Sequence, residues 1–578
     1  MRPDTPVVPA SDTPARAPLR AGRGWTGLTL AVAALIALPI VVVLLHVLVP
    51  AGDVWRHLFQ TVLSRYVGNT LSLMVGVGIG VTLIGVGTAW LVVMCRFPGR
   101  GVFRWALLLP LAVPTYVIAY AYTDFLQFAG PVQTLLRDTF DWGRDDYWFP
   151  QIRSLGGAIV LMSLVLYPYV YLLSRAAFIE QSVCALEVGR TLGRGPLRLF
   201  LGIAVPLARP AIAGGVALAL METLNDFGAV QFFGVDTFTT GVYRTWFGLG
   251  EQAAAAQLAA CLLVFVLVLL VLERWSRREA RYFQTSSRYR ELPQYRLSGG
   301  RALLAWLACA LPVTLGFLLP AGLLVGMHLR EGDPLLGSRF MDFALNSLTL
   351  AGVTALVAVS LAVLISYGVR LKPSRLTQGA ARVASLGYAV PGSVIAVGVL
   401  IPLAWLDSRI NLFALERFGV TPGLILTGTM VALVYAYVVR FLAVSFNTVE
   451  ASLGKISPSM DAVSRTLGAG AGGTLRRVHM PIMRGSLFAA AILIFVDVMK
   501  ELPATVILRP FDFDTLAVRA YELASDERLA QASTSALAIV AVGIIPVVLL
   551  SMAMTRSRPG HAGGPPAAPT APPQPDRG

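Results

Sequence analysis

Glu187-Val-Gly-Arg-Thr-Leu-Gly193 and, 275 residues later, Ala462-Val-Ser-Arg-Thr-Leu-Gly468 are the two stretches on which the fold turns. Each is followed thirteen residues on by a proline, Pro206 and Pro481, and the same offset pairs Arg209 with Arg484, Thr240 with Thr515 and Arg244 with Arg519. Upstream, Asn69-Thr-Leu-Ser-Leu73 matches Asn346-Ser-Leu-Thr-Leu350 and Pro114 matches Pro391, both at an offset of 277. The chain is a duplication. Both copies carry an even number of membrane crossings, so they are expected to be parallel, with a pathway between them.

The crossings follow from composition. Of 578 residues 56% are hydrophobic and 14% charged, with mean hydropathy +0.69, too apolar for a body that hides its apolar surface in its own core. Twelve apolar stretches are long enough to cross about 30 Å of hydrocarbon. They lie near 27–50, 67–94, 103–126, 155–174, 207–230, 253–272, 302–327, 344–369, 382–406, 421–440, 484–507 and 533–553. The fold class is therefore an all-α polytopic membrane protein of about twelve transmembrane helices in two parallel six-helix repeats. The first stretch outlasts a signal-peptide core and follows Arg16, Arg20 and Arg23, so it reads as an uncleaved span.

Lys and Arg favour the cytoplasmic side of a membrane, and with the N-terminus inside 33 of the 47 fall in cytoplasmic segments. Both termini are therefore expected in the cytoplasm. The boundaries read as a disordered tail at 1–24, a first repeat at 25–273, a basic linker at 274–301, a second repeat at 302–555 and a disordered tail at 556–578. The basic excess is dispersed between apolar runs, which argues against nucleic acid as a partner. Cys95, Cys184, Cys261 and Cys309 are far apart and form neither a disulfide framework nor a zinc motif.

The repeated cytoplasmic motif resembles the EAA loop of binding-protein-dependent ABC importer permeases, whose pattern is Glu-Ala-Ala, three residues, Gly, and a later Pro. The resemblance implies ATPase-coupling loops built on Glu187, Gly193 and Pro206 in one half and on Asp461, Ala462, Gly468 and Pro481 in the other. It also implies a separate ATPase chain in two copies, an extracytoplasmic substrate-binding protein, and a place in the inner membrane of a bacterial cell, the lipid membrane as a partner following from the composition. Glycine permits the positive φ of a sharp turn, and the proline is expected to end the docking helix before the next span. Ala462 departs from the pattern, with Asp461 one place earlier, which puts an ionic contact in doubt on that side. Leu297-Ser298-Gly299-Gly300-Arg301 imitates an ATPase signature, but no Gly-x-x-x-x-Gly-Lys-Ser/Thr loop accompanies it, so ATP and Mg are assigned to the partner and the chain itself holds no cofactor and catalyses no covalent step.

Residues 221–228 with 238–244, and 497–505 with 508–519, resemble the fused ferric iron transport permeases over nearly the whole chain apart from its tails. The fused thiamine permeases share the layout, and a secondary transporter with two six-helix halves shares the span count, though it has no ATPase to dock. Within these stretches Glu222 and Asp226 correspond to Asp497 and Glu501. Ionisable groups inside a membrane read as functional, so Glu222, Asn225, Asp226, Asp497, Lys500 and Glu501 are candidates for the path or its gate. The i, i+4 spacing places both carboxylates of a pair on one helix face. The alternative is that Lys500 neutralises a carboxylate and that Asn225 with Asp226 caps a helix end. No stable metal site is expected, because tight binding opposes release.

The topology has a direct check. A reporter fused after Arg281 is expected to read cytoplasm and one near Asp512 the opposite side; agreement of both on one side overturns the span count between them.

Overall fold

The computed structural model describes residues 21–181, 191–192, 195–278, 294–334 and 337–556. Glu187, Gly193 and Cys184 lie outside the described residues, as do 1–20, 279–293 and 557–578 of the tails and linker. What is described is helical, apart from one two-residue parallel pairing of β1 (Cys95–Arg96) with β2 (Tyr295–Arg296). Leu297 N–H donates to the Arg96 carbonyl and Gln294 accepts from Arg100, so the far end of the linker is stitched to the end of the second span. The Leu297–Arg301 stretch is the start of the seventh span.

Among the described residues eleven helices are long and apolar enough to cross a membrane, and a broken pair makes a twelfth. The third span is that pair. Arg100–Ala112 and Thr115–Phe140 meet at 91° instead of forming the continuous 103–126 helix expected. Pro114 is the cause: the residue before a proline is driven out of the α region, and Val113 sits at φ −105°, ψ 122°. Pro391 repeats the break, with Val390 at φ −84°, ψ 127°, so the ninth span is Gly392–Phe418 and not 382–406.

The fifth and eleventh spans start earlier than expected, as Pro196–Asn225 and Ala471–Met499. Pro206 and Pro481 do not stop a helix. Each follows a π-turn, Phe200–Ala204 or Leu475–His479, and the helix runs on through it. A proline lacks the N–H of the ordinary ladder and crowds the preceding turn, and the widened π-turn accommodates both defects. Arg440, which the charge count assigned to the inner edge of the tenth span, is buried in the middle of Met430–Gly454.

Near the end of each repeat the register differs from the sequence alignment. Asn69 Nδ2 donates to the Asp236 carbonyl at 2.9 Å and Asn346 Nδ2 to the Asp514 carbonyl at 3.1 Å. Thr237 and Thr515 are the N-caps of the helices that follow. The equivalent residues are thus 278 apart, and Thr240 with Arg244 do not correspond to Thr515 with Arg519. The loop after Leu508 is longer by three residues, and two isolated identities bridged it falsely.

The halves are interlocked through their first spans. In the first span the Pro39 backbone lies under Gly398, and the Leu35 carbonyl accepts from Tyr435 Oη at 2.6 Å, both contacts made to the second half. In return the Leu315 carbonyl of the seventh span accepts from Tyr122 Oη at 2.6 Å, and Gly316 lies against Pro110 and Leu164.

Within the first half the fourth span is gripped by two glycines. A Cβ on Gly85 would stand 2.7 Å from Val170 Cβ and 2.9 Å from Tyr171 N, and one on Gly215 would stand 2.7 Å from Val170 Cα. Small residues allow membrane helices this approach where lipid supplies no hydrophobic drive between them. Gly85→Ala is therefore expected to destabilise the permease by about 1–3 kcal/mol through overpacking. Gly87→Ala, which meets open space, is expected to be neutral or mildly stabilising. Thermal unfolding of the purified protein in detergent distinguishes them; equal melting temperatures would refute the packing account.

A polar cavity where the two halves meet

The fifth span ends at Asn225 because the chain turns out of the helix at Asp226, with ψ 130°. A short helix, Gly228–Phe232, starts at once, and its first N–H groups lie deep in the bundle with no preceding turn to bond them. Asp226 supplies the acceptor. Its Oδ1 takes the N–H of Ala229 at 3.0 Å and of Val230 at 3.1 Å, while Oδ2 takes the Thr115 hydroxyl. Thr115 is the first residue after the Pro114 break.

The second half repeats the device. Glu501 Oε1 accepts from Ala504 N at 3.2 Å, and Oε2 from Thr505 N at 3.3 Å and Thr505 Oγ1 at 3.0 Å, capping Pro503–Leu508. The capping alternative for Asp226 is what the geometry shows, and Glu501 shares it. Asp226 and Glu501 lie beyond the helix ends at Asn225 and Met499, so the i, i+4 argument for one shared face with Glu222 and Asp497 fails.

All six sequence-derived candidates line one cavity of about 100 Å³ at the seam. Asn225 crosses the seam, its Oδ1 accepting from Gly392 N at 2.7 Å. Lys500 Nζ lies 2.9 Å from Asp497 Oδ1, as the neutralising alternative held. The decisive residue was not among the candidates. Arg440 is 5% exposed, donates from one terminal nitrogen to Glu501 Oε1 at 2.8 Å and holds the other 3.9 Å from Glu222 Oε2 in the opposite half. Removing one partner of such a buried pair typically costs about 3–5 kcal/mol. Tyr116, Tyr169, Tyr388 and Thr115 add to the polar lining. Arg440 was legible in principle, as a lone charge inside an apolar run, and an assigned span edge hid it.

On the other face, the second repeated motif forms a helix, Pro458–Thr466, a turn at Gly468 with φ +80°, and a second helix from Ala471. Asp461 is not without ionic contacts. Its carboxylate takes Arg370 Nε at 3.0 Å and His479 Nε2 at 2.6 Å, while Arg370 also donates to the carbonyls of Leu453 and Ile456. Ala462 is exposed, and Met460, Val463 and Leu467 project outward, Leu467 with 81% of its surface free. In the first copy Leu192, Leu197 and Leu201 are exposed and Pro206 follows the π-turn.

A duplicated helical body with a polar cavity at its seam and an outward loop on one face defines a membrane permease. Residues 81–282 match the family described as binding-protein-dependent transport system inner membrane component. Over 530 residues it is 28% identical to an Fe(3+)-transport system permease protein of Haemophilus influenzae, covering 89% of this chain and 96% of that one. A ferric transport system permease protein of Actinobacillus pleuropneumoniae is 24% identical over 493 residues, 82% of this chain and 68% of the other. The molybdenum transport system permease protein of Escherichia coli is 29% identical over 203 residues, 34% of this chain and 86% of its own length.

The capping role has a consequence for stability. Asp226→Ala leaves two N–H groups and a hydroxyl without their acceptor and is expected to lower stability by about 1–3 kcal/mol. Asp226→Asn keeps one acceptor oxygen and is expected to lose less. Equal melting curves for wild type and Asp226→Ala in detergent would refute the cap.

Proposed function

We propose that this chain forms the translocation pathway of an ATP-driven importer of ferric ion, receiving it from an extracytoplasmic binding protein and working with two copies of an ATPase. The observation that carries the cargo assignment is the cavity, in which four carboxylates meet two cationic side chains. That balance disfavours an oxyanion and suits a hard cation that prefers oxygen ligands. Similarity over more than four fifths of this chain to two iron-named permeases supports it, whereas the molybdenum-named relative matches 34% of the chain.

The ATPase contact is assigned to the paired loops that carry Gly193 and Gly468. The outward apolar residues Val463 and Leu467 beside a fixed turn support this, because a helix in a partner's groove needs exposed anchors on a rigid base. Trp25, near the start of the first span, packs edge-on against Tyr367 beside the second loop. This supports an N-terminus on the ATPase side, and with an even number of crossings the C-terminus shares it.

Gly468→Asp forces a side chain into φ +80°, a conformation costing L-residues about 1–2 kcal/mol, of the order of a tenfold change in a docking equilibrium. Binding-protein-stimulated ATPase activity and ferric uptake in proteoliposomes are expected to fall together by about tenfold. Insertion into the membrane is expected to be unchanged. Normal uptake and normal copurification of the ATPase by Gly193→Asp, Gly468→Asp and the double variant would overturn the coupling assignment. Wild-type transport of another substrate with no ferric uptake would overturn the cargo.

A further inference from the structure

The duplication provides an internal control for the charges of the cavity. Asp226 caps its helix with a threonine hydroxyl beside it and, among the described residues, no cation in contact, so a capping carboxylate at this place does not require an arginine. The fourth and tenth spans are Leu155–Ile179 and Met430–Gly454, equal in length and 275 apart, which makes Val165 the counterpart of Arg440. Asn225 is likewise the counterpart of Lys500. Both cations therefore belong to one half alone. Arg440 still reaches carboxylates of both halves, Glu501 at 2.8 Å and Glu222 at 3.9 Å, and its Nε, although buried, has no hydrogen-bond partner.

We propose that Arg440 and Lys500 are tethered counter-ions that keep the carboxylates of the pathway occupied, so that a trivalent cation crosses the cavity without being held there. The proposal rests on the assignment of a ferric cargo. A trivalent ion is drawn to Glu222, Asp497 and Glu501, and leaving these carboxylates unpaired would strengthen their hold on it. A path must bind its ion strongly enough to admit it and weakly enough to let it leave. An attached cation cannot diffuse away, so its effective concentration at the carboxylate stays high and it reclaims the position when the ion moves on. Arg440, placed between the halves, returns Glu222 and Glu501 to a paired state, and Lys500 does the same for Asp497.

The test uses Tb3+ as a hard trivalent probe, with Tyr169 and Tyr388 of the cavity lining as the donors that sensitise its emission. The full permease with its ATPase is purified, titrated with Tb3+ and assayed in proteoliposomes for ferric uptake and ATPase activity. Arg440→Gln is expected to bind Tb3+ about tenfold more tightly than wild type and to lose uptake, with Arg440→Lys restoring both. Lys500 and Asp497 are partly exposed, so Lys500→Gln tests the same idea where the loss of a deeply buried partner is not at issue. It is expected to tighten Tb3+ binding in the same direction. Unchanged Tb3+ affinity in the folded variants, with wild-type ferric uptake intact, overturns the proposal and leaves the cargo assignment standing. Absence of ferric uptake by wild type overturns that assignment, and the proposal with it.

Discussion

Every backbone N–H buried in a membrane bundle needs an acceptor, and this protein breaks its helices in the one place where water cannot supply one. A buried polar group left unpaired costs about 1–3 kcal/mol, so breaks at Asp226 and Glu501 without acceptors would be untenable. The carboxylates there are first of all structural, each closing the start of a short helix. The breaks bring backbone, hydroxyls and carboxylates together at one level of the bundle, and the seam acquires a polar cavity as a consequence. Asn225 adds the bond to Gly392 that joins the halves at the same level.

The loop at Gly468 and the cavity lie towards opposite ends of the same helix in the second half. Asp461 grips His479, which lies in the π-turn at the base of the eleventh span, and Ala471–Met499 runs unbroken for 29 residues and carries Asp497 near its far end. At about 1.5 Å per residue this rod is roughly 43 Å long. A displacement of the loop must tilt or shift the rod, and with it the Asp497–Lys500 pair and the Glu501 cap. Arg370, bonded to Asp461 and to the carbonyls of Leu453 and Ile456, fixes the loop to the ends of the eighth and tenth spans as well. Arg440 stands on that tenth span, so both cations of the cavity are reached from one loop.

Hydropathy located the spans well because the apolar runs are long, and the duplication was legible because Asn69, Pro114 and Gly468 occupy backbone positions that admit few alternatives. What it could not show is where a span stops being helical. Val113 and Val390 are apolar and pass any hydropathy test, yet the prolines after them turn the chain. Pro206 and Pro481 misled in the opposite direction, since a π-turn lets a helix carry them. The helix-face argument for Glu222 with Asp226 failed for the same reason: periodicity assumes a continuous helix, and this one ends at Asn225. Arg440 escaped because a span edge drawn at 440 turned a buried ion into a surface one.

The two halves have the same skeleton and different electrostatics, and the difference has a direction. Arg440 stands where the first half has Val165, Lys500 where it has Asn225, and His479 where it has Ala204. Each of the three contacts a carboxylate: Glu501 with Glu222, Asp497, and Asp461. None is required by the backbone, because the first half forms the same breaks, the same π-turn and the same short helix without them. Charges added to one copy of a duplicated scaffold act on that copy's partners and across the seam. The second half therefore carries the ionic control of the cavity, while the first contributes Glu222 and Asp226 as fixed acceptors. A symmetric pair of chains could not divide the work in this way, and fusing the halves into one chain makes the asymmetry permanent.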